Sequence, residues 1–174
     1  MEKTPEELFV EALKNEKEDK SPKKSQAKWD GRFMKLAKEV SSWSTCVRRE
    51  VGSVIVRDKR IIATGYNGAP SGVLSCEEKG YCIRDRLSIA SGTRQEICYA
   101  THAEQNALVQ AAKLGISVDG ATIYVTHQPC IICAKLIINA GIKRVVYAYD
   151  YPDYCSIELL KQAGVEICHL PYEK

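Results

Sequence analysis

Three helical segments alternate with three β-rich segments in the second half of the chain, and this order constrains the fold most. Each helical segment ends at a glycine, the residue that commonly follows a helix C-terminus. The helical segments span residues 102–114, 130–140 and 157–163, and the β-rich segments that follow them span 121–126, 144–148 and 165–168. Because strands joined by a crossover helix are parallel and are covered by helices, this half predicts a parallel sheet between helical layers.

The first half of the chain adds a hairpin and a helix to this sheet. Residues 51–56 and 60–64 are short β-rich runs separated by the polar turn 57–59, which predicts an antiparallel hairpin. Apolar residues recur at helical spacing before it, at Phe33, Leu36, Ala37 and Val40. Together the two halves predict an α/β fold, a three-layer α/β/α domain on a mixed five-stranded sheet.

Length and charge are those of an ordinary single domain. The 174 residues are enough for a sizeable core, and no apolar run approaches the ~18 residues of a membrane span. The net charge of +3 and the pI near 8.4 are too mild to indicate a nucleic-acid surface. Residues 1–28 are rich in charge and are expected to form a mobile or loosely docked arm before a domain at 29–174.

Eight cysteines are the most unusual part of the composition, because the chain starts without the apolar segment of a secretory signal. A chain of this length does not need disulfides, and a reducing compartment would break them. We therefore expect a cytoplasmic protein whose cysteines are metal ligands, catalytic groups or buried apolar residues.

Two helix starts carry residues that suit a metal centre. His102 and Glu104 open one helix, while Pro129 precedes another that has Cys130 and Cys133 on one face. The N-terminus of a helix favours the thiolate form of cysteine. Two thiolates and one imidazole are three ligands for Zn²⁺, which leaves the fourth tetrahedral position open, as in catalytic sites. The Glu104 carboxylate beside such a site is placed to move protons. The alternative is a structural zinc site, which usually has four protein ligands.

H-x-E followed by P-C-x-x-C is the signature of zinc nucleoside deaminases. The resemblance extends over about four-fifths of the chain. From about Trp29 onward, the sequence resembles the deoxycytidylate (dCMP) deaminase family of the cytidine deaminase-like superfamily. The stretches that carry the resemblance include Cys-Val-Arg-Arg-Glu-Val at 46–51, Gly-Tyr-Asn-Gly-Ala-Pro at 65–70, His-Ala-Glu-Gln-Asn-Ala at 102–107 and Pro-Cys-Ile-Ile-Cys-Ala-Lys at 129–135.

The resemblance implies a zinc-dependent hydrolase that converts dCMP and water to dUMP and ammonia and so feeds thymidylate synthesis. His102, Cys130 and Cys133 match the zinc ligands of such enzymes. Glu104 matches their proton shuttle, and the backbone N–H of Ala103 is expected to hold the base O2.

The expected substrate contacts each have an alternative. Asn67 matches the residue that touches the sugar hydroxyl in the family, although it also suits a left-handed turn next to Gly68. Arg48 and Arg49 are candidates for the 5′-phosphate, because arginine binds phosphate in a bidentate manner. Alternatively, the two arginines are a solvated pair before a strand.

Four further cysteines equal the number that a closed structural zinc site needs. They are Cys46, Cys76, Cys82 and Cys98. Some relatives carry a second zinc bound by cysteines that resemble the first two, and zinc here would order the long connection at 73–98. The alternative is separate buried thiols, since the spacing from Cys76 to Cys82 departs from the usual zinc pattern. His127, next to the second motif, is expected to be an ordinary loop residue.

The sequence is compatible with more than one substrate and with more than one kind of regulation. A tRNA adenosine deaminase or a free-base deaminase would share the fold, although a tRNA enzyme is expected to be more basic. A catalytically silent binding or DNA-uptake module is the alternative from another class. Many family members are hexamers that dCTP activates with Mg²⁺ and dTTP inhibits. The resemblance therefore implies a homo-oligomer, from dimer to hexamer, with the regulator near the loop 65–72.

Overall fold

The computed structural model describes residues 3–4, 11 and 22–172. Residues 22–172 contain one five-stranded sheet with helices on both faces. The helices are α1 (Pro22–Ser41), α2 (Cys76–Lys79), α3 (Ile83–Arg86), α4 (Ala103–Lys113), α5 (Ile131–Asn139) and α6 (Tyr154–Gln162). The strands are β1 (Gly52–Arg57), β2 (Arg60–Tyr66), β3 (Thr122–His127), β4 (Arg144–Tyr149) and β5 (Glu166–His169). Within these described ranges, no helix combines the length and apolarity needed to cross a membrane.

The strand order is β2-β1-β3-β4-β5, with β1 antiparallel to β2 and β3. Strands β3, β4 and β5 are parallel to one another. The mixed five-stranded sheet expected from the sequence is thereby confirmed. The hairpin turns at Asp58 and Lys59, whose φ values of 51° and 60° match the two-residue turn that suits twisted antiparallel strands.

Two apolar clusters, one on each face of the sheet, join the three layers. Helices α4, α5 and α6 cover one face, where Ala107, Ile137 and Leu160 are fully buried. Helix α1 covers the other face with Phe33 and Ala37. Because both faces are covered, the middle residues of β1, β3 and β4 are buried without interruption.

Helix α1 begins at Pro22 and therefore crosses the expected boundary between arm and domain at residue 28. Its Asp30 carboxylate accepts hydrogen bonds from both terminal nitrogens of Arg144 (2.7 and 2.9 Å) and from the Tyr124 hydroxyl (2.7 Å). This buried ion pair attaches α1 to β3 and β4. The rest of the expected arm, apart from residues 3–4 and 11, lies outside the described residues.

The connection at 73–98 contains two short helices, α2 and α3, and a 3₁₀ turn at Gln95–Ile97. Cys76 and Cys82, near the starts of the two short helices, are buried. Arg84 is also buried and donates hydrogen bonds to the carbonyls of Ala90 and Thr93 (2.8 and 2.7 Å). Side chains of the connection thus hold its own backbone in place beside the start of α4.

Candidate active site

Three potential metal ligands meet where α4 and α5 begin. His102 is the N-cap of α4, Cys130 is the N-cap of α5, and Cys133 lies in the first turn of α5. The Nδ1 atom of His102 lies 3.4 Å from each of the two sulfurs, and all three ligand atoms lie within 4.8 Å of one another. The structure therefore brings together the side chains that the two sequence motifs single out.

Contacts with neighbouring elements hold both helix starts. Gly65 of β2 lies against α4 so closely that a Cβ there would collide with the carbonyl oxygen of Ala103. The Ser53 hydroxyl donates to that same oxygen (2.9 Å). At α5, the Asp153 carboxylate accepts from the backbone N–H of Ile131 (2.7 Å) and from an N–H in the first turn of α6 (3.1 Å). Two independent sets of contacts thus position the metal ligands.

The two thiols of the ligand set do not ionise equally. Hydrogen bonds with Cys133 and His102 lower the pKa of Cys130 to about 4 in spite of its burial. The pKa of Cys133 is raised by its hydrogen bond to Cys130, by burial and by the nearby negative charge. A divalent cation between the sulfurs would offset the repulsion between two thiolates. Two thiolates and an imidazole form a donor set that zinc prefers, so the residues present fit this metal.

Glu104 lies directly beside the ligand set, in the first turn of α4, and is 4% exposed. Burial raises the pKa of its carboxyl to about 7, while the charge of His102 opposes the shift and that of Cys130 adds to it. A carboxyl with a pKa near neutrality both accepts and releases a proton at neutral pH. The position and the pKa of Glu104 therefore suit general acid–base chemistry.

A pocket opens onto the ligand set and includes all four expected substrate-contact residues, which are Arg48, Arg49, Asn67 and Ala103. Five polar residues of its wall were not predicted from the sequence, and they are Arg84, Ser91, His127, Gln128 and Tyr151. His127 is the last residue of β3, so the expectation of an ordinary loop residue is wrong. Its position three residues before Cys130 could have identified it as a site residue. No local pattern points to Ser91 or Tyr151.

The side chain of Asn67 forms hydrogen bonds with the backbone of the pocket wall. Its Oδ1 accepts from the N–H of Val51, and its Nδ2 donates to the carbonyl of Arg49, each at 2.8 Å. Its φ is not positive, so the alternative of a left-handed turn residue does not hold. Asn67 therefore fixes the backbone that carries the pocket arginines.

The two arginines have different partners. Arg48 forms an ion pair with Asp85 (3.3 Å) and donates to the carbonyl of Ile89 (3.2 Å). The Arg49 guanidinium lies 5.6 Å from the ring centre of Tyr151 and has no acidic partner in the part of the chain that the structure describes. Of Arg48 and Arg49, only Arg49 thus lines the pocket without a carboxylate partner among the described residues.

The four cysteines of the expected second metal site lie in one neighbourhood. Cys46, Cys82 and Cys98 line the pocket, and burial together with the charges of these three neighbours raises the pKa of Cys76. Among the described residues, the ligand atoms of His102, Cys130 and Cys133 are close enough together to hold a metal ion without moving. The sulfurs of the four other cysteines are not. The four thiols would have to approach one another to bind zinc.

The fold and the site together are those of the metal-dependent deaminases. A family model described as "Cytidine and deoxycytidylate deaminase zinc-binding region" matches residues 27–149. The chain belongs to this family, and the resemblance derived from its motifs is confirmed.

Curated relatives support the assignment. ComE operon protein 2 of Bacillus subtilis is 46% identical over 141 residues, which cover 80% of this chain and 69% of that protein. The deoxycytidylate deaminases of Schizosaccharomyces pombe and Mycobacterium phage D29 are 38% and 43% identical, over 84% and 71% of this chain. The matches cover 45% of the yeast protein and 96% of the phage protein. The chain thus spans less than half of the yeast relative.

Solved structures confirm the cytidine deaminase-like fold. The crystal structure of dCMP deaminase from the cyanophage S-TIM5 in complex with dCMP and dUMP has a TM-score of 0.67 and 37% sequence identity. The match covers 86% of this chain and 98% of that one. A bifunctional deaminase and reductase of Thermotoga maritima has a TM-score of 0.59 and 29% identity, over 81% of this chain and 36% of that one.

Proposed function

We propose that the protein hydrolyses the 4-amino group of dCMP, so that dCMP and water become dUMP and ammonia. The observation that carries the proposal is the buried Glu104 carboxyl beside the ligand set of His102, Cys130 and Cys133 in one pocket. The deoxycytidylate deaminases among the yeast and phage relatives support this substrate, as does the cyanophage enzyme that was crystallised with dCMP and dUMP.

In this reaction Glu104 carries the protons. Zinc held by His102, Cys130 and Cys133 would supply a water of lowered pKa. Glu104 accepts a proton from the attacking water and passes it to N3 of the base as oxygen adds to C4. Glu104 then takes the remaining proton from the new C4 hydroxyl and passes it to the amino group, so that the C4–N bond breaks, ammonia leaves and C4 becomes the carbonyl of dUMP. The N–H of Ala103, at the start of α4, donates to the base O2 and orients the ring.

The contacts in the pocket favour Arg49 over Arg48 as the ligand of the 5′-phosphate. Asp85 already compensates the charge of Arg48, whereas Arg49 has no acidic partner among the described residues. A phosphate supplies the bidentate acceptor that such a guanidinium lacks. Asn67 keeps one amide hydrogen after binding the Arg49 carbonyl, and we assign this hydrogen to the sugar hydroxyl.

We also propose a second, structural zinc at Cys46, Cys76, Cys82 and Cys98. The neighbouring Arg84 supports it, because this residue is 7% exposed, forms no ion pair within the described residues and has an Nε atom without a hydrogen-bond partner. Zinc bound by four thiolates has a net charge of −2, which a buried guanidinium would offset.

A homo-oligomer, from dimer to hexamer, regulated by dTTP and by dCTP with Mg²⁺, is a further part of the proposal. Trp43 and Tyr66 beside the loop 67–72 are 52% and 39% exposed, and their rings meet edge to face. Exposed aromatic surface suits a partner chain or a nucleotide base. A dCMP saturation curve that dTTP makes more sigmoidal and dCTP makes hyperbolic would support regulation. Hyperbolic curves that neither nucleotide changes, measured on a monomer, would contradict it.

The test of the proposed function is ammonia release from a panel of substrates by zinc-loaded protein. The panel contains dCMP, CMP, deoxycytidine, dCTP and a tRNA anticodon stem, and dCMP should give the highest kcat/KM. Faster release from the tRNA stem would identify an RNA deaminase instead. Release from none of them would favour a binding module instead. The proposed location is cytoplasmic, since none of the eight cysteines is paired in a disulfide.

A further inference from the structure

His127 is a pocket residue to which the proposed reaction gives no role. It ends β3 and lines the pocket together with Arg49 and Tyr151. Its imidazole packs against the ring of Tyr149, with the two centroids 5.0 Å apart. The ring therefore has a defined place in the pocket wall.

The hydrogen bonds of Thr126 determine which nitrogen of His127 carries the proton. Thr126 is 1% exposed, and its Oγ1 accepts from the backbone N–H of Gly52 (3.2 Å). The hydroxyl proton also needs an acceptor, because an unpaired buried donor is costly. His127 Nδ1, 3.0 Å away, is the acceptor in reach. Nδ1 is thus unprotonated, and the neutral ring carries its hydrogen on Nε2.

The Nε2–H group of His127 is left as a donor that faces no protein acceptor. Within the described residues Nε2 has no hydrogen-bond partner, whereas His169 Nε2 lies 3.0 Å from the Ala148 carbonyl oxygen. Burial, aided by the charges of Arg49 and Lys38, lowers the pKa of His127 to about 4. The side chain therefore offers the pocket a neutral N–H donor close to the guanidinium of Arg49.

We propose that His127 Nε2–H donates to the 5′-phosphate of the substrate alongside Arg49, and so makes the enzyme prefer a nucleotide to a nucleoside. This inference rests on the proposed function. Phosphate oxygens accept hydrogen bonds, and their negative charge would compensate the positive charge of Arg49. Glu104 and Ala103 hold the base in the proposed reaction, so a donor beside Arg49 is free for the phosphate.

The kinetic test compares dCMP with deoxycytidine in the wild type and in two variants of the zinc-loaded enzyme. His127→Phe removes the donor, and kcat/KM for dCMP should fall about 10- to 100-fold, mainly through KM. For deoxycytidine, which has no phosphate, kcat/KM should change less than about 3-fold. His127→Gln keeps an N–H near the position of Nε2 and should recover part of the loss. His169→Phe is the matched control and should behave as wild type, because His169 does not line the pocket.

The outcomes separate this inference from the proposed function. Wild-type protein that releases no ammonia from dCMP overturns the proposed function. An active wild type whose His127→Phe variant loses the same factor on both substrates overturns only the phosphate contact, and places the imidazole against the sugar or the base.

A second measurement does not depend on catalysis or on a foldable variant. The chain has three histidines, so ¹⁵N NMR of the zinc-loaded protein resolves the tautomer of each one. His127 should be protonated on Nε2, and its Nε2 signal should shift when dUMP binds but not when deoxyuridine binds. An Nδ1-protonated ring, or equal shifts with both ligands, would overturn the inference.

Discussion

Replacing Gly65 with alanine should displace the helix that carries Glu104. Gly65 lies on β2 against the start of α4, and a Cβ there would overlap the carbonyl oxygen of Ala103 and the backbone nitrogen of Ala107. Both atoms belong to the backbone, so no side-chain rotation relieves the overlap. The strand and the helix must separate by about 1 Å to restore van der Waals distance.

The magnitude follows from that displacement. Overpacking of this kind costs about 1–3 kcal/mol, which for a chain of this length lowers the Tm by about 2–12 °C. A shift of about 1 Å in a catalytic group lowers the rate by about 100-fold. We therefore expect Gly65→Ala to remain folded at 25 °C and to release ammonia from dCMP with kcat/KM about 100-fold below wild type. Thermal unfolding followed by circular dichroism and an ammonia assay measure the two effects.

Gly31→Ala is the matched control for this prediction. Gly31 lies within α1, and a Cβ there meets no atom within 4 Å. The substitution should raise stability by about 0.5–1 kcal/mol, because glycine weakens a helix interior, and it should leave the rate unchanged. A Gly65→Ala variant that melts and turns over like the wild type would refute the packing argument.

The buried ion pair and the cysteine cluster give two more predictions. Hydrogen bonds from Arg144 and Tyr124 outweigh burial and lower the pKa of Asp30, so its contribution to stability is present above about pH 3.9 and is lost as the pH falls below it. Asp30→Asn should cost about 3–5 kcal/mol at pH 7 in urea unfolding, and a cost that did not shrink between pH 5 and pH 3 would contradict this account. Metal analysis should find two zinc ions per wild-type chain, one in Cys82→Ser and two in the exposed control Cys155→Ser; one zinc in the wild type would rule out the second site.

The sheet was predictable because local pattern and tertiary contacts agree in the second half of the chain. Each helix there ends at a glycine with positive φ, namely Gly115, Gly141 and Gly164. The start of α1 was not predictable in the same way. Charged residues around Pro22 resemble a solvated arm, and the ion pair of Asp30 with Arg144, 114 residues away, leaves no local trace.

The metal ligands of the site were predictable for a different reason. His102, Cys130 and Cys133 lie at helix starts, so the short motifs H-x-E and C-x-x-C identify them in the sequence. The fold then places the two helix starts next to each other. The rest of the pocket wall depends on long-range packing. Ser91 and Tyr151 belong to connections that meet in space, and the different roles of Arg48 and Arg49 depend on a carboxylate at Asp85 that no motif associates with them.

The central claim is that Glu104 carries the protons of a zinc-dependent dCMP deamination. Its most direct test is the rate of ammonia release from dCMP by Glu104→Gln, relative to wild type at equal zinc content. The amide keeps the shape of the side chain and leaves the three ligands untouched, but it cannot accept the proton. General acid–base catalysis contributes typically ~10²–10⁴-fold, and Glu104 handles every transfer, so the rate should fall by about 10⁴-fold or more with zinc retained. A variant that keeps about a tenth of the wild-type rate would contradict the account.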